Sequence, residues 1–113
     1  MCNQTQAIQI LGEVRGSCDL IFGNVLKDAY LYGSYARGDY HEGSDIDILL
    51  TVDMDAADIS KYRNKIAAIT SDLSLLHDIT VSVTVKPLDQ FQKYANVLPF
   101  YKNVIGEGIR YGV

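Results

Sequence analysis

Read from the N-terminus, apolar residues first recur at steps of three and four: Ala7, Leu11, Val14, Cys18, Ile21 and Val25. That spacing lays an apolar stripe along a helix over residues 5–25. Gly12, Gly16 and Gly23 each weaken it by about 1 kcal/mol relative to alanine, so the helix needs a sheet to dock on. The period then changes. Lys27 to Tyr32 reads as a strand ending at Gly33. Ser34 to Arg37 makes one helical turn, which Gly38 can close with a left-handed cap. Asp39 to Ser44 is a polar loop in which Gly43 can take positive φ. Asp45 to Val52 is the second strand.

The acidic stretch Asp53 to Asp58 suits the start of a helix, where the dipole favours negative charge. The stripe Ile59, Tyr62, Ile66, Ile69, Leu73, Leu76 then predicts one long helix, the clearest in the chain. From Asp78 to Lys86, Ile79, Val81, Val83 and Val85 alternate with polar residues, the mark of a half-buried strand, and Pro87 ends it. Leu88 to Asn96 reads as a short helix. Pro99 to Tyr111 holds a last one, with Phe100, Val104 and Ile105 facing inward and Gly106, Gly108 and Gly112 leaving its end open. The order α, β, short α, β, α, β, α, α predicts a single α/β (α+β) domain over residues 1–113. Its mixed β-sheet has about three or more strands with helices packed on one face, and the other face is left open for a ligand.

Composition narrows the classes of function. The chain is 48% apolar, which suits a folded core. With 113 residues that core is small, leaving little for a second substrate-binding domain. The net charge of −4 argues against general nucleic-acid binding, which needs a basic face. Cys2 and Cys18 have neither metal nor redox spacing and read as reduced thiols, Cys18 packed in its helix. The polar, uncharged start from Met1 to Gln6 is unlike a signal peptide. No apolar run approaches the roughly 18 residues of a membrane span, so a cytoplasmic protein without membrane contact is expected.

The chemistry is concentrated between residues 33 and 50. A Gly33-Ser34 pair between a strand and a short helix offers free backbone N–H groups and a hydroxyl to an anion. Asp45 and Asp47 alternate onto one side of a strand, roughly 6–7 Å apart. Two such carboxylates repel unless a cation sits between them, and magnesium is commonly held by one or two carboxylates plus substrate phosphates. Arg37 can reach the phosphates or pair with Asp39 or Glu42. Ser44 can accept backbone N–H bonds and hold the carboxylate strand in position. His41 reads as a solvated loop residue and His77 as a cation at a helix C-terminus. Of the eight tyrosines, Tyr30 and Tyr32 fill strand faces and Tyr62 the helix stripe. Tyr35, Tyr40, Tyr94 and Tyr101 can stack on a base or line an interface or core.

Gly33, Ser34, Ala36, Arg37, Gly38, Ser44, Asp45, Asp47 and Leu49 follow the pattern G-S-x-A-R-G-x5-S-D-x-D-x-L. In this the chain resembles the minimal nucleotidyltransferases of the polymerase-beta superfamily. The resemblance implies a nucleotidyltransferase fold and transfer of a nucleoside monophosphate, AMP from ATP, to a hydroxyl. It implies nucleotide binding by Gly33, Ser34, Arg37 and Ser44, and two Mg2+ ions on catalytic carboxylates. Asp45 and Asp47 provide two of these. Asp78, read as opening the third strand, is the expected third, as metal ligand and general base. The resemblance further implies a HEPN-type protein partner, with a tyrosine as acceptor and this chain as antitoxin, or else self-association. Two rivals are a non-catalytic nucleotide-binding module that acts by complex formation and a small-molecule transferase of the aminoglycoside type.

Overall fold

The computed structural model describes residues 2–111; Met1 and Gly112, named above, lie outside them. Helix α1 spans Gln4–Phe22. A capping box starts it: the Asn3 side chain accepts the Gln6 N–H at 2.8 Å, and the Gln6 side chain accepts the Asn3 N–H at 2.9 Å. Gly23, at φ 63°, stops it, and a 3-10 turn over Gly23–Val25 leads into β1, Leu26–Tyr32. Then come α2 (Ser34–Arg37), β2 (Ile46–Val52), α3 (Ala56–Ser60), α4 (Arg63–His77), β3 (Val81–Pro87), α5 (Leu88–Tyr94), α6 (Pro99–Glu107) and β4 (Ile109–Arg110). The sheet order is β3-β2-β1-β4. β1 is antiparallel to both β2 and β4, and β2 is parallel to β3. A parallel pair needs a crossover, which α3 and α4 provide.

β2 is the centre of the core. Ile46, Ile48, Leu50 and Val52 point to one face and meet Ala7, Ile10, Leu11, Val14 and Cys18 of α1, with Ala29 and Leu31 of β1. The next residues in register point the other way. There Leu49 packs with Phe91 of α5 and with Tyr101 and Val104 of α6. The two terminal helices thus cover the second face around Leu49, while the Asp47 end remains partly accessible. Among the described residues no helix is long and apolar enough to cross a membrane.

Four expectations change. The stripe from Ile59 to Leu76 is two helices. Tyr62 leaves helical geometry (φ −96°, ψ 1°) while its ring packs 4.7 Å from that of Phe22. Leu73 is buried, but Leu76 is 70% exposed. The third strand starts at Val81 because Asp78 takes a left-handed conformation (φ 51°, ψ 46°) that caps α4. In α6, Tyr101 and Val104 face inward, whereas Phe100 and Ile105 are exposed. Finally, α6 stops at Glu107 and the chain adds β4 to the edge of β1, where a Cβ at Gly108 would run into the Val104 and Leu31 carbonyls.

This packing predicts unequal costs along one apolar pattern. Leu50→Ala should destabilise the domain by about 2–5 kcal/mol. Leu76→Ala should stay within about 0.5 kcal/mol of the parent. Urea unfolding followed by circular dichroism measures both.

Candidate active site

The site begins where β1 ends. Gly33 sits at φ 76°, ψ −154°, a conformation essentially closed to other residues. A Cβ there would lie 2.6 Å from Oδ2 of Asp47. The absent side chain of Gly33 is therefore the space that the Asp47 carboxylate occupies. The Gly33 carbonyl accepts the N–H groups of Ala36 and Arg37, both at 3.1 Å, starting α2. Gly33 is thus the N-cap, Ser34 is the first helical residue, and no side chain caps this helix start. Gly38, at φ 91°, ends the turn as expected. Below it, Tyr35 is buried and stacks on Tyr40 with centroids 4.4 Å apart. The Gln4 amide of α1 donates to the carbonyls of Tyr35 and Ala36 at 3.0 and 3.2 Å. The short helix is thus held from beneath.

The loop to β2 is closed on itself. The Ser44 hydroxyl accepts the His41 N–H, and the Ser44 N–H donates to the His41 carbonyl, both at 3.0 Å. Gly43 takes φ 95°. His41 is exposed and its Nδ1 lies 2.7 Å from the Glu42 carbonyl. Ser44 therefore fixes the approach to the carboxylates. Asp45 follows, exposed, just ahead of β2, and Asp47 is half-buried within the strand. Burial and the nearby Asp45 carboxylate push the Asp47 carboxyl above its ordinary range, and Arg37 works against this. Arg37 itself is exposed and pairs with Asp39 at 3.2 Å and with Glu107 of α6 at 3.5 Å. Sequence reasoning found the first partner and missed the second, since no local pattern links position 37 to α6.

On either side of Asp47 in the sheet stand Tyr32 of β1 and Ser82 of β3. Burial raises the Tyr32 phenol above its usual range. The Thr84 side chain counters this, and Asp47 adds to it. The Phe100 ring of α6 meets Tyr32 edge-on at 5.4 Å. Tyr101, read as able to stack on a base or to line an interface or core, lies in the core, and its hydroxyl accepts from Gln90 at 3.0 Å.

Asp78 is placed differently from the expectation. It caps α4, its own N–H donating to the Ser74 carbonyl, and Ile79 and Thr80 separate it from β3. With Asp45, Ser44 and His77 it lines a cleft of about 670 Å³ between α1, the end of α4 and the loop; Asp47 is not part of that lining. Among the described residues no three His, Cys, Asp or Glu side chains gather in a way that could hold a metal ion. His77 Nε2 meets Glu13 Oε2 at 2.6 Å, tying α4 to α1.

A glycine-backed turn thus stands against Asp47, with the Asp45 carboxylate near enough to act on it through its charge. Residues 11–110 match the nucleotidyltransferase domain family, and the chain belongs to it. The protein is a nucleotidyltransferase. Two Methanocaldococcus jannaschii proteins named as protein adenylyltransferases are similar to it. MJ0141 is 39% identical over 77 residues, covering 68% of this chain and 76% of the relative. MJ0604 is 36% identical over 95 residues, covering 77% and 87%. A solved toxin–antitoxin structure with AMP-PNP shares the fold, with a TM-score of 0.58 and 22% identity over 99% of this chain and 75% of that one.

This family generally uses a divalent metal, and the residues present fit one ion. Asp47 is a carboxylate whose charge is disfavoured by burial and by Asp45. Asp45 and Asp47 would hold such an ion through carboxylate oxygens, and its charge would relieve that repulsion.

The Gly33–Asp47 contact predicts coupled substitutions. Gly33→Ala should cost about 1–3 kcal/mol from backbone strain, and more from the carboxylate it displaces. Combining it with Asp47→Ala should recover the second part only. A double-mutant cycle in urea measures the difference.

Asp47 also predicts a pH effect in protein kept metal-free with EDTA. Its folded pKa is raised, so its favourable contribution is complete only below the unfolded value of roughly 3.9. That contribution is lost as pH rises through the folded value. Asp47→Asn should therefore raise the melting temperature at pH 7 by up to a few degrees, and the gain should shrink as pH falls below about 4. Differential scanning calorimetry at the two pH values tests this.

Proposed function

We propose that this chain transfers AMP from ATP to a hydroxyl on a second polypeptide, with magnesium as cofactor. The observation that supports the reading is the close approach of Asp47 to Gly33, which brings a carboxylate against a turn with free backbone N–H groups. Gly33 and Ser34 take the β- and γ-phosphates on the free N–H groups of the first turn of α2 and on the Ser34 hydroxyl. Arg37 lends positive charge beside Asp47. Asp45 and Asp47 hold the metal, and Ser44 keeps the loop that presents them in place. Magnesium, when bound, offsets the negative charge that builds on the phosphate oxygens. In the transfer, the acceptor oxygen bonds to the α-phosphorus and loses its proton to solvent or a nearby base. The bond from that phosphorus to the β-phosphate oxygen breaks, and pyrophosphate leaves.

The names of the two M. jannaschii relatives support AMP as the group moved and protein as the acceptor class. The fold shared with the toxin–antitoxin chain supports a partner protein. The partner we favour is a HEPN-type toxin, modified on a tyrosine. Exposed Phe100 and Ile105 give α6 an apolar surface near the site, suited to a protein partner.

Incubation with ATP labelled at either the α- or the γ-phosphate, together with any co-encoded helical protein, tests the proposal. Only the α-label should appear on the partner. Asp45→Asn or Asp47→Asn should lower transfer by about 10²-fold or more while the circular dichroism spectrum stays the same. Transfer of the γ-label, or undiminished transfer by the doubly substituted protein, would refute the reading.

A further inference from the structure

The register of β3 decides what this chain can place beside Asp47. β3 runs parallel to β2 with Ser82 opposite Asp47 and Thr84 opposite Leu49. Side chains alternate along both strands. Val81 accordingly enters the core beneath α1 and α4 with Ile46 and Ile48. Ser82 shares the side of Asp47 and is exposed. Neighbouring strands lie about 4.8 Å apart, so position 82 is the place on β3 from which a short side chain can reach an ion held by Asp47. What stands there is a neutral hydroxyl. On the opposite flank is the phenol of Tyr32, which brings no carboxylate to the site. Asp78 lies back in the α4 cap, and no three-carboxylate group forms among the described residues.

We propose that Asp45 and Asp47 form a one-cation site, with Ser82 at the position a third carboxylate would need to occupy to hold a second ion. The inference rests on the nucleotidyltransferase reading of the same site. Two carboxylates and a triphosphate complete the oxygen shell of one magnesium ion, with water filling the rest. A second ion needs further anionic oxygen from the protein at this spot, and a serine hydroxyl adds no charge. An ion that would lower the pKa of the acceptor hydroxyl is therefore not held from β3. The chain binds and orients the nucleotide, and the acceptor has to bring its own acidity or its own base.

Manganese electron paramagnetic resonance on the intact protein with a non-hydrolysable ATP analogue separates the possibilities. Two manganese ions about 3.5–4 Å apart couple magnetically, whereas a lone ion does not. The parent should give an uncoupled spectrum, and so should Asp78→Ala. Ser82→Asp, an exposed and tolerable change, should give a coupled one. It should also speed transfer by about tenfold or more. A coupled spectrum in the parent that Asp78→Ala abolishes would overturn the proposal and restore Asp78 as the third ligand. An uncoupled spectrum in Ser82→Asp would overturn it as well. Binding of a fluorescent ATP analogue, measured alongside, keeps the two readings apart. If it is absent in every variant, the nucleotide site itself is wrong; if it is intact, only the count of ions is at stake.

Discussion

The close approach of the Asp47 carboxylate to the backbone of Gly33 is the constraint on which the site depends. It follows from the antiparallel register of β1 and β2, which sets Tyr32 opposite Asp47 and so brings the residue after Tyr32 over the carboxylate. Slipping that register by one residue would turn Asp47 into the core and Ile48 out of it. The fully buried series Ile46, Ile48, Leu50 and Val52 forbids such a slip. Core packing on one face of β2 therefore fixes the chemistry on the other. The energetic cost of the arrangement is local: a carboxyl held above its usual range, beside a backbone that only glycine adopts without strain. It is tolerable because the strand beneath is among the best-packed parts of the molecule.

Much of this was legible from the chain alone, and for physical reasons. Gly33, Ser34, Gly38, Gly43, Ser44, Asp45 and Asp47 lie within one short segment, so their geometry is set by local rules of turns, caps and strand alternation. The Gly38 left-handed cap and the positive φ of Gly43 came out as the composition implies. Asp78 was placed at the start of the third strand, and the structure puts it in the α4 cap, because its helix stops in a left-handed residue that is not glycine. An alternation that starts at Val81 looks as though it extends back through Ile79. The break at Tyr62 was hidden by an apolar stripe that runs across it with unbroken period. Contacts between distant segments left no local trace at all. The Glu107 partner of Arg37, the Glu13 partner of His77 and the placement of Ser82 beside Asp47 belong to this class.

In α6 the reading of Val104 as inward holds and that of Phe100 and Ile105 does not. Its inward residues are Tyr101 and Val104, spaced by one turn, and they meet Leu49 and Phe91. Reading Phe100 as inward favours the more apolar side chain. The structure favours the tyrosine because its hydroxyl finds the Gln90 amide at the margin of the core. Phe100 is left to meet Tyr32 at the rim of the site. The second face of the sheet is thereby divided into a sealed part under α5 and α6 and an accessible part around Asp47.

The shortness of β4 has a consequence for how this sheet meets other chains. This strand pairs with Tyr30 and Leu31, the Tyr111 N–H adds a bond to the Ala29 carbonyl, and among the described residues no strand covers Leu26 to Asp28 on that edge. An uncovered edge invites another strand to continue the sheet. Here Arg15 donates from its guanidinium to the Lys27 carbonyl at 3.1 Å, occupying one acceptor that an incoming strand would use. Lys27 and Asp28 add opposite charges along the same stretch, and the β1–β2 ladder is irregular between Leu26 and Asp28. Edge-on growth of the sheet is discouraged at that point.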